Sequence, residues 1–151
     1  MSIHPNNKVY HELFENSVHA IILQDMNGKF KVFNKKATFL GYTIEELLKL
    51  KIEDVDIIRT PKEIKKQYKY IIKQGKNIEF ETKLQTKNRE VRNVHISCNV
   101  LEINGKKYIQ NIILDITERR REEDDRQASR DKLNDNLKKR TVESKKRMRI
   151  Y

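Results

Sequence analysis

The chain has 151 residues, 36% of them apolar and 36% charged, enough for one packed core with charge left over for a segment outside it. Its one cysteine, Cys98, excludes a disulfide framework and a multi-cysteine metal site, and no apolar run approaches the ~20 residues that span a bilayer. The net charge of +11 divides into an excess of six over residues 1–117 and five over residues 118–151, so no single basic face is built, and a reducing, cytoplasmic setting is expected.

Residues 1–8 read as a tail without the apolar core of a secretory signal. Val9, Leu13 and Phe14 mark an N-terminal helix. Asn27-Gly28 stands between the apolar runs 20–25 and 29–33 and signals a hairpin, since a two-residue turn of this kind needs φ > 0 at both central positions. Asn34 then reads as the cap of a short helix that stops at Gly41. Thr43-Ile44-Glu45-Glu46 is a capping box, in which the Thr43 hydroxyl takes the amide of Glu46 and Glu46 reaches back. Thr60-Pro61-Lys62-Glu63 is a second, with Pro61 where its missing N–H costs nothing. It opens a helix that puts Ile64, Tyr68, Ile71 and Ile72 on one face and ends at Gly75.

Three strands follow. Ile78, Phe80, Thr82 and Leu84 alternate with polar residues, and so do Val94, Ile96, Cys98 and Val100 beyond a turn at 87–89. After Asn104-Gly105, the run 108–116 is apolar on both parities, as in a strand covered on both faces. Two strands, short helices and a three-stranded meander make an α+β domain with an antiparallel sheet. From Glu118 to Lys132 the one apolar residue is Ala128. The pairs Glu122 with Arg126, Asp135 with Lys139 and Glu143 with Arg147 favour a helix there, each by a few tenths of a kcal/mol. So polar a helix is marginal alone and asks for a partner.

In this order and spacing the motifs resemble the PAS domain over about residues 9–120. The resemblance rests on Leu13-Phe14-Glu15-Asn16-Ser17, Asp25-Met26-Asn27-Gly28, Asn34, and Gly41-Tyr42-Thr43-Ile44-Glu45-Glu46-Leu47. Its most specific part is Asp115-Ile116-Thr117-Glu118-Arg119-Arg120, which is similar to the motif closing PAS domains that feed histidine kinases. The segment 133–140 is similar to the helical linker that follows such domains. The resemblance implies a five-stranded antiparallel sheet with flanking helices around a small cavity. It also implies a sensory domain over 9–117, a charged helical signalling linker over 118–151, a homodimer, and output to a two-component partner. Asp115, Ile116, Thr117, Glu118 and Arg119 form the expected hinge, where Thr117 can cap the helix and Asp115 can hold the strand exit.

The cavity chemistry that the family allows can be tested on these residues. A light-sensing flavin needs a cysteine where this chain has Ile52, and amides where it has Leu84 and Ile113. Haem needs an axial ligand, and the helix at 62–74 holds no histidine. His4, His11 and His19 fall in or before the first strand, and His95 has the parity opposite to Val94 and Ile96. No cofactor is therefore expected. Nucleophile elbows, phosphate-cradling loops and metal spacings are also missing, so the chain is not expected to be an enzyme. On the family's strand parities Ile22, Gln24, Phe80, Thr82, Leu84, Val94, Ile96, Ile109, Asn111 and Ile113 point inward. They line a pocket for a small organic ligand or simply fill it as core. Asn111 and Gln24 are the informative positions, because a buried amide must find partners. The alternative reading is a basic nucleic-acid-associated protein using residues 62–73 and the basic end at 138–151, where seven basic residues face Glu143 alone. No base-reading motif supports it, so nucleic acid is not the expected partner.

Overall fold

The computed structural model describes residues 7–150, and side chains as far as Val142. Residues 1–6 of the tail, the side chains of 143–150 (Glu143 and Arg147 of the expected pair among them) and residue 151 lie outside the described residues. Within these limits the elements are helix α1 (Asn7–Glu15), strands β1 (Ala20–Gln24) and β2 (Phe30–Phe33), and a 3-10 helix at Lys35–Leu40. Then come α2 (Ile44–Leu47), α3 (Ile52–Val55), α4 (Pro61–Gln74), β3 (Ile78–Gln85), β4 (Val91–Ile103), β5 (Lys106–Asp115) and α5 (Thr117–Ile150). The five strands form one antiparallel sheet in the order β2-β1-β5-β4-β3. The expected α+β architecture is met, with the last strand in the centre. The chain divides into two compact units, one up to Ile116 and one from Thr117.

The two Asn-Gly turns differ. Asn104 and Gly105 both take positive φ, 51° and 78°, and close β4 onto β5 as a two-residue turn. At the first hairpin only Gly28 does, with φ 88°. There the Asp25 carboxylate accepts hydrogen bonds from the amides of Asn27 (2.9 Å) and Lys29 (3.0 Å), and the longer loop ends in a single left-handed glycine. The β1–β2 register shifts between Leu23 and Gln24, the kink expected of a bulge.

The helix starts follow the expected chemistry with two differences. At α2 the box is complete: Glu46 N–H donates to Thr43 Oγ1 and Thr43 N–H to Glu46 Oε1, each at 3.2 Å. At α4 only the Thr60 hydroxyl half forms, again at 3.2 Å. Asn34 makes no cap bond for the 3-10 helix. Its buried side chain instead accepts from Ile21 N–H (3.0 Å) and donates to the carbonyls of Phe14 (3.0 Å) and His19 (2.9 Å). It thereby ties β1 to the end of α1 and to the segment that joins the two.

The helices α2, α3 and α4 cover one face of the sheet, and the core lies between, with Phe30, Leu40, Leu47, Ile52, Ile71, Leu84 and Ile96 fully buried. The opposite face is thinly covered. Tyr108 and Ile112 of β5 are half-buried and Leu114 is exposed, so 108–116 is not buried on both parities as the sequence pattern suggests. In α5 every described side chain from Arg121 to Val142 is exposed. Glu122 pairs with Arg126 at 3.8 Å, as read from the sequence.

Candidate functional site on the inner face of the sheet

The antiparallel register sets the inward side chains in rows. Ala20, Ile113, Ile96 and Phe80 are successive neighbours across β1, β5, β4 and β3. Ile22, Asn111, Cys98 and Ile78 form the next row, then Gln24, Ile109 and Val100. Val94 and Thr82 are paired beyond them. Of the ten inward positions read from the sequence, nine are buried, and Phe80 is half-buried.

Polar groups run through this apolar lattice. Gln24 and Asn111 are buried almost completely, and their registers make them diagonal neighbours on one face. Tyr68 of α4 donates its hydroxyl to Gln24 Oε1. The Cys98 thiol donates to Asn111 Oδ1 at 2.8 Å. The other amide atoms, Gln24 Nε2 and Asn111 Nδ2, have no hydrogen-bond partner among the described residues. Burial pushes the Cys98 thiol up to about 12, with Arg59 opposing. Burial first, and Cys98 second, raise the Tyr68 phenol well above its ordinary range, so both groups keep their protons at neutral pH.

A second polar knot sits toward β3. Asp56, just after α3, accepts from Arg59 Nε at 2.6 Å and from Thr82 Oγ1 at 3.0 Å. Arg59 Nη1 donates to Gln67 of α4 at 2.6 Å, and its guanidinium lies 4.4 Å from the centre of the Phe80 ring. This stacking explains why Phe80 faces the edge of the core. Sequence reasoning missed Asp56 and Arg59, which look like solvated loop charges at that spacing. Tyr68 was legible as a buried helix position, and the signal for its role was general: a buried phenol needs a partner for its hydroxyl.

At the strand exit, Arg92 Nε and Nη2 both reach Asp115 Oδ2 at 2.8 Å. Ile116 is buried, with its amide on the Asn93 carbonyl at 2.8 Å. Thr117 is the first helical residue, and Glu118 and Arg119 are exposed. No group of three metal-ligating side chains occurs among the described residues, and no helix there is long and apolar enough to cross a membrane.

Known proteins place this architecture. The family profile of the PAS domain matches residues 18–118. Among solved structures, the chain is similar to the PAS domain of an HTR-like protein from Haloarcula marismortui, at 21% identity and TM-score 0.67, over 72% of this chain and 90% of that one. It is similar at 22% identity and TM-score 0.61 to a PAS domain from a two-component sensor histidine kinase, over 72% and 94%. The PAS domain of nitrogen regulation protein NR(II) from Vibrio parahaemolyticus follows at 9% identity and TM-score 0.61, over 72% and 98%. Among curated proteins none matches. With the match running from the entry to β1 into the first turn of α5, over more than half of its length, the chain belongs to the PAS domain family.

Proposed function

We propose that the chain is the input module of a histidine-kinase-type signalling system, in a cytoplasmic setting. A small ligand or partner alters packing on the inner face of the sheet, and the change leaves through β5 into the helix that begins at Thr117. The observation that carries this reading is the pair of buried, half-satisfied amides Gln24 and Asn111 on the adjacent strands β1 and β5, the second of which runs on to that exit. Each unpaired buried donor costs roughly 1–3 kcal/mol, so their retention on the inner face supports a role in accepting a group that carries hydrogen-bond acceptors. The module works without flavin or haem, since Ile52, Leu84 and Ile113 offer alkyl groups where a flavin needs a thiol and amides. It works as a homodimer, with the half-covered outer face of β5 and the exposed Leu13 of α1 at the contact.

Native mass spectrometry of the freshly purified full chain tests these points together. The expected result is a dimer that carries a small molecule and absorbs neither as flavin nor as haem. Asn111→Leu should stay dimeric, lose the molecule and melt at a higher temperature, because removing the unpaired Nδ2 donor outweighs the loss of the weak thiol bond from Cys98. A wild type that carries nothing, beside an Asn111→Leu variant that melts lower, would show Asn111 to be structural. A monomer, or a bound flavin or haem, would remove the corresponding part of the reading.

A further inference from the structure

A concavity of about 530 Å³ lies outside the sheet's inner face, between the β1–β2 turn, the start of α3 and the middle of α4. Its volume falls within the range of small-molecule sites. Lys29, Lys51, Lys65 and Lys69 line it, and none of the four forms an ion pair with a carboxylate of the described residues. Lys29 and Lys51 are direct partners across an isolated antiparallel bridge. Lys65 and Lys69 are one turn apart on α4. Like charges directly opposite across a bridge, or four apart on a helix, oppose the fold that holds them. Here two such pairs converge on one hollow.

The carboxylates at the site do little to relieve this. Asp25 already accepts two backbone amides and pairs with Lys31 at 3.8 Å, on the far side of the turn. Glu53 is the other lining carboxylate, against four ammonium groups. The floor is apolar, with Ile52, Ile64 and the ring of Tyr68. The Tyr68 hydroxyl passes through to Gln24, so the floor of the hollow is wired to the inner face.

We propose that this groove binds a small organic anion carrying at least two negative charges and an apolar body. The charges bridge the two lysine pairs, and the body rests on the isoleucines and Tyr68. The inference adds a ligand class and a second site to the sensory reading without depending on it. The two are told apart by which amides respond: 26–29 and 64–72 for the groove, those of β1 and β5 for the inner face.

The test is a titration of the isotopically labelled full chain with phthalate, an aromatic dicarboxylate, followed by amide chemical shifts at physiological salt. Saturable shifts at 26–29 and 64–72 are expected. Lys65→Gln with Lys69→Gln should weaken them about tenfold, the scale of two screened charge contacts. Lys36→Gln with Lys83→Gln, an equal loss of charge at exposed positions elsewhere, should leave them unchanged. Sulfate, of the same charge without an apolar body, should bind more weakly. The proposal fails if phthalate gives no saturable shift, if the control pair weakens binding as much, or if sulfate binds as well. The amide spectrum of each variant reports its folding in the same experiment.

Discussion

Tyr68 and Cys98 hold protons that water would take from them in strong base, and the direction of this effect on stability can be worked out. The thiol is raised from its ordinary 9.0 to about 12 in the folded chain, and the phenol rises from 10.0. Both are acids whose folded form binds the proton more tightly than the unfolded form. Their contribution is therefore complete below about pH 9 and is lost as pH climbs toward the folded values. Each proton involved adds a slope of about 1.4 kcal/mol per pH unit. Urea midpoints measured from about pH 8 to about pH 11 should be level at first and then fall, and Cys98→Val should make the fall shallower by about one proton. An unchanged slope in Cys98→Val would show that the thiol ionises freely in the fold. The same burial makes Cys98 a poor nucleophile, since thiolate chemistry needs a lowered pKa and access. By contrast, the exposed Glu46 has its carboxyl held below the usual range by the Lys87 ammonium and the Thr43 amide.

At the level of elements, how far the sequence could be read depended on whether a signal was local. Gly41, Gly75 and Asn104-Gly105 are local, because the backbone there needs φ > 0. The capping box at Thr43 and the hydroxyl cap at Thr60 are local too. Thr60→Ala should cost about 1 kcal/mol, seen as a lower urea midpoint, and Thr60→Ser should restore it. A silent Thr60→Ala would mean that Pro61 and tertiary packing alone set the start of α4. The turn at Asn27-Gly28 misled because the Asp25 side chain replaces part of the backbone bonding. Asn34 misled because its partners, in the α1–β1 segment, are made by tertiary structure. The inner-face positions followed from strand parity, while the Tyr68–Gln24 bond joins residues 44 apart in the chain and has no local signature. The groove of lysines was equally hidden, since its members come from a turn, a bridge and a helix that only the fold brings together.

Across the whole molecule, the central place of β5 governs more than the route to α5. Its two neighbours in the sheet lie at opposite separations along the chain. It meets β4 through a two-residue turn, but it meets β1 by pairing Ala20 with Ile113 and Ile22 with Asn111, which closes a loop of some 90 residues. Closing such a loop costs chain entropy before any contact returns it. The order of events in refolding should therefore run against the order of the chain: the β3–β4–β5 meander assembles in the transition state, and the N-terminal strand docks last. Ile96→Val and Ile22→Val each remove one buried methyl group, a loss of about 1 kcal/mol. In stopped-flow refolding, Ile96→Val should slow folding, whereas Ile22→Val should act by speeding unfolding. The reverse partition would mean that β1 is already seated at the barrier. If the predicted order holds, β1, with Gln24 at its end, is also the strand that the native state can release at least cost, and its amides should exchange with solvent earlier than those of β4.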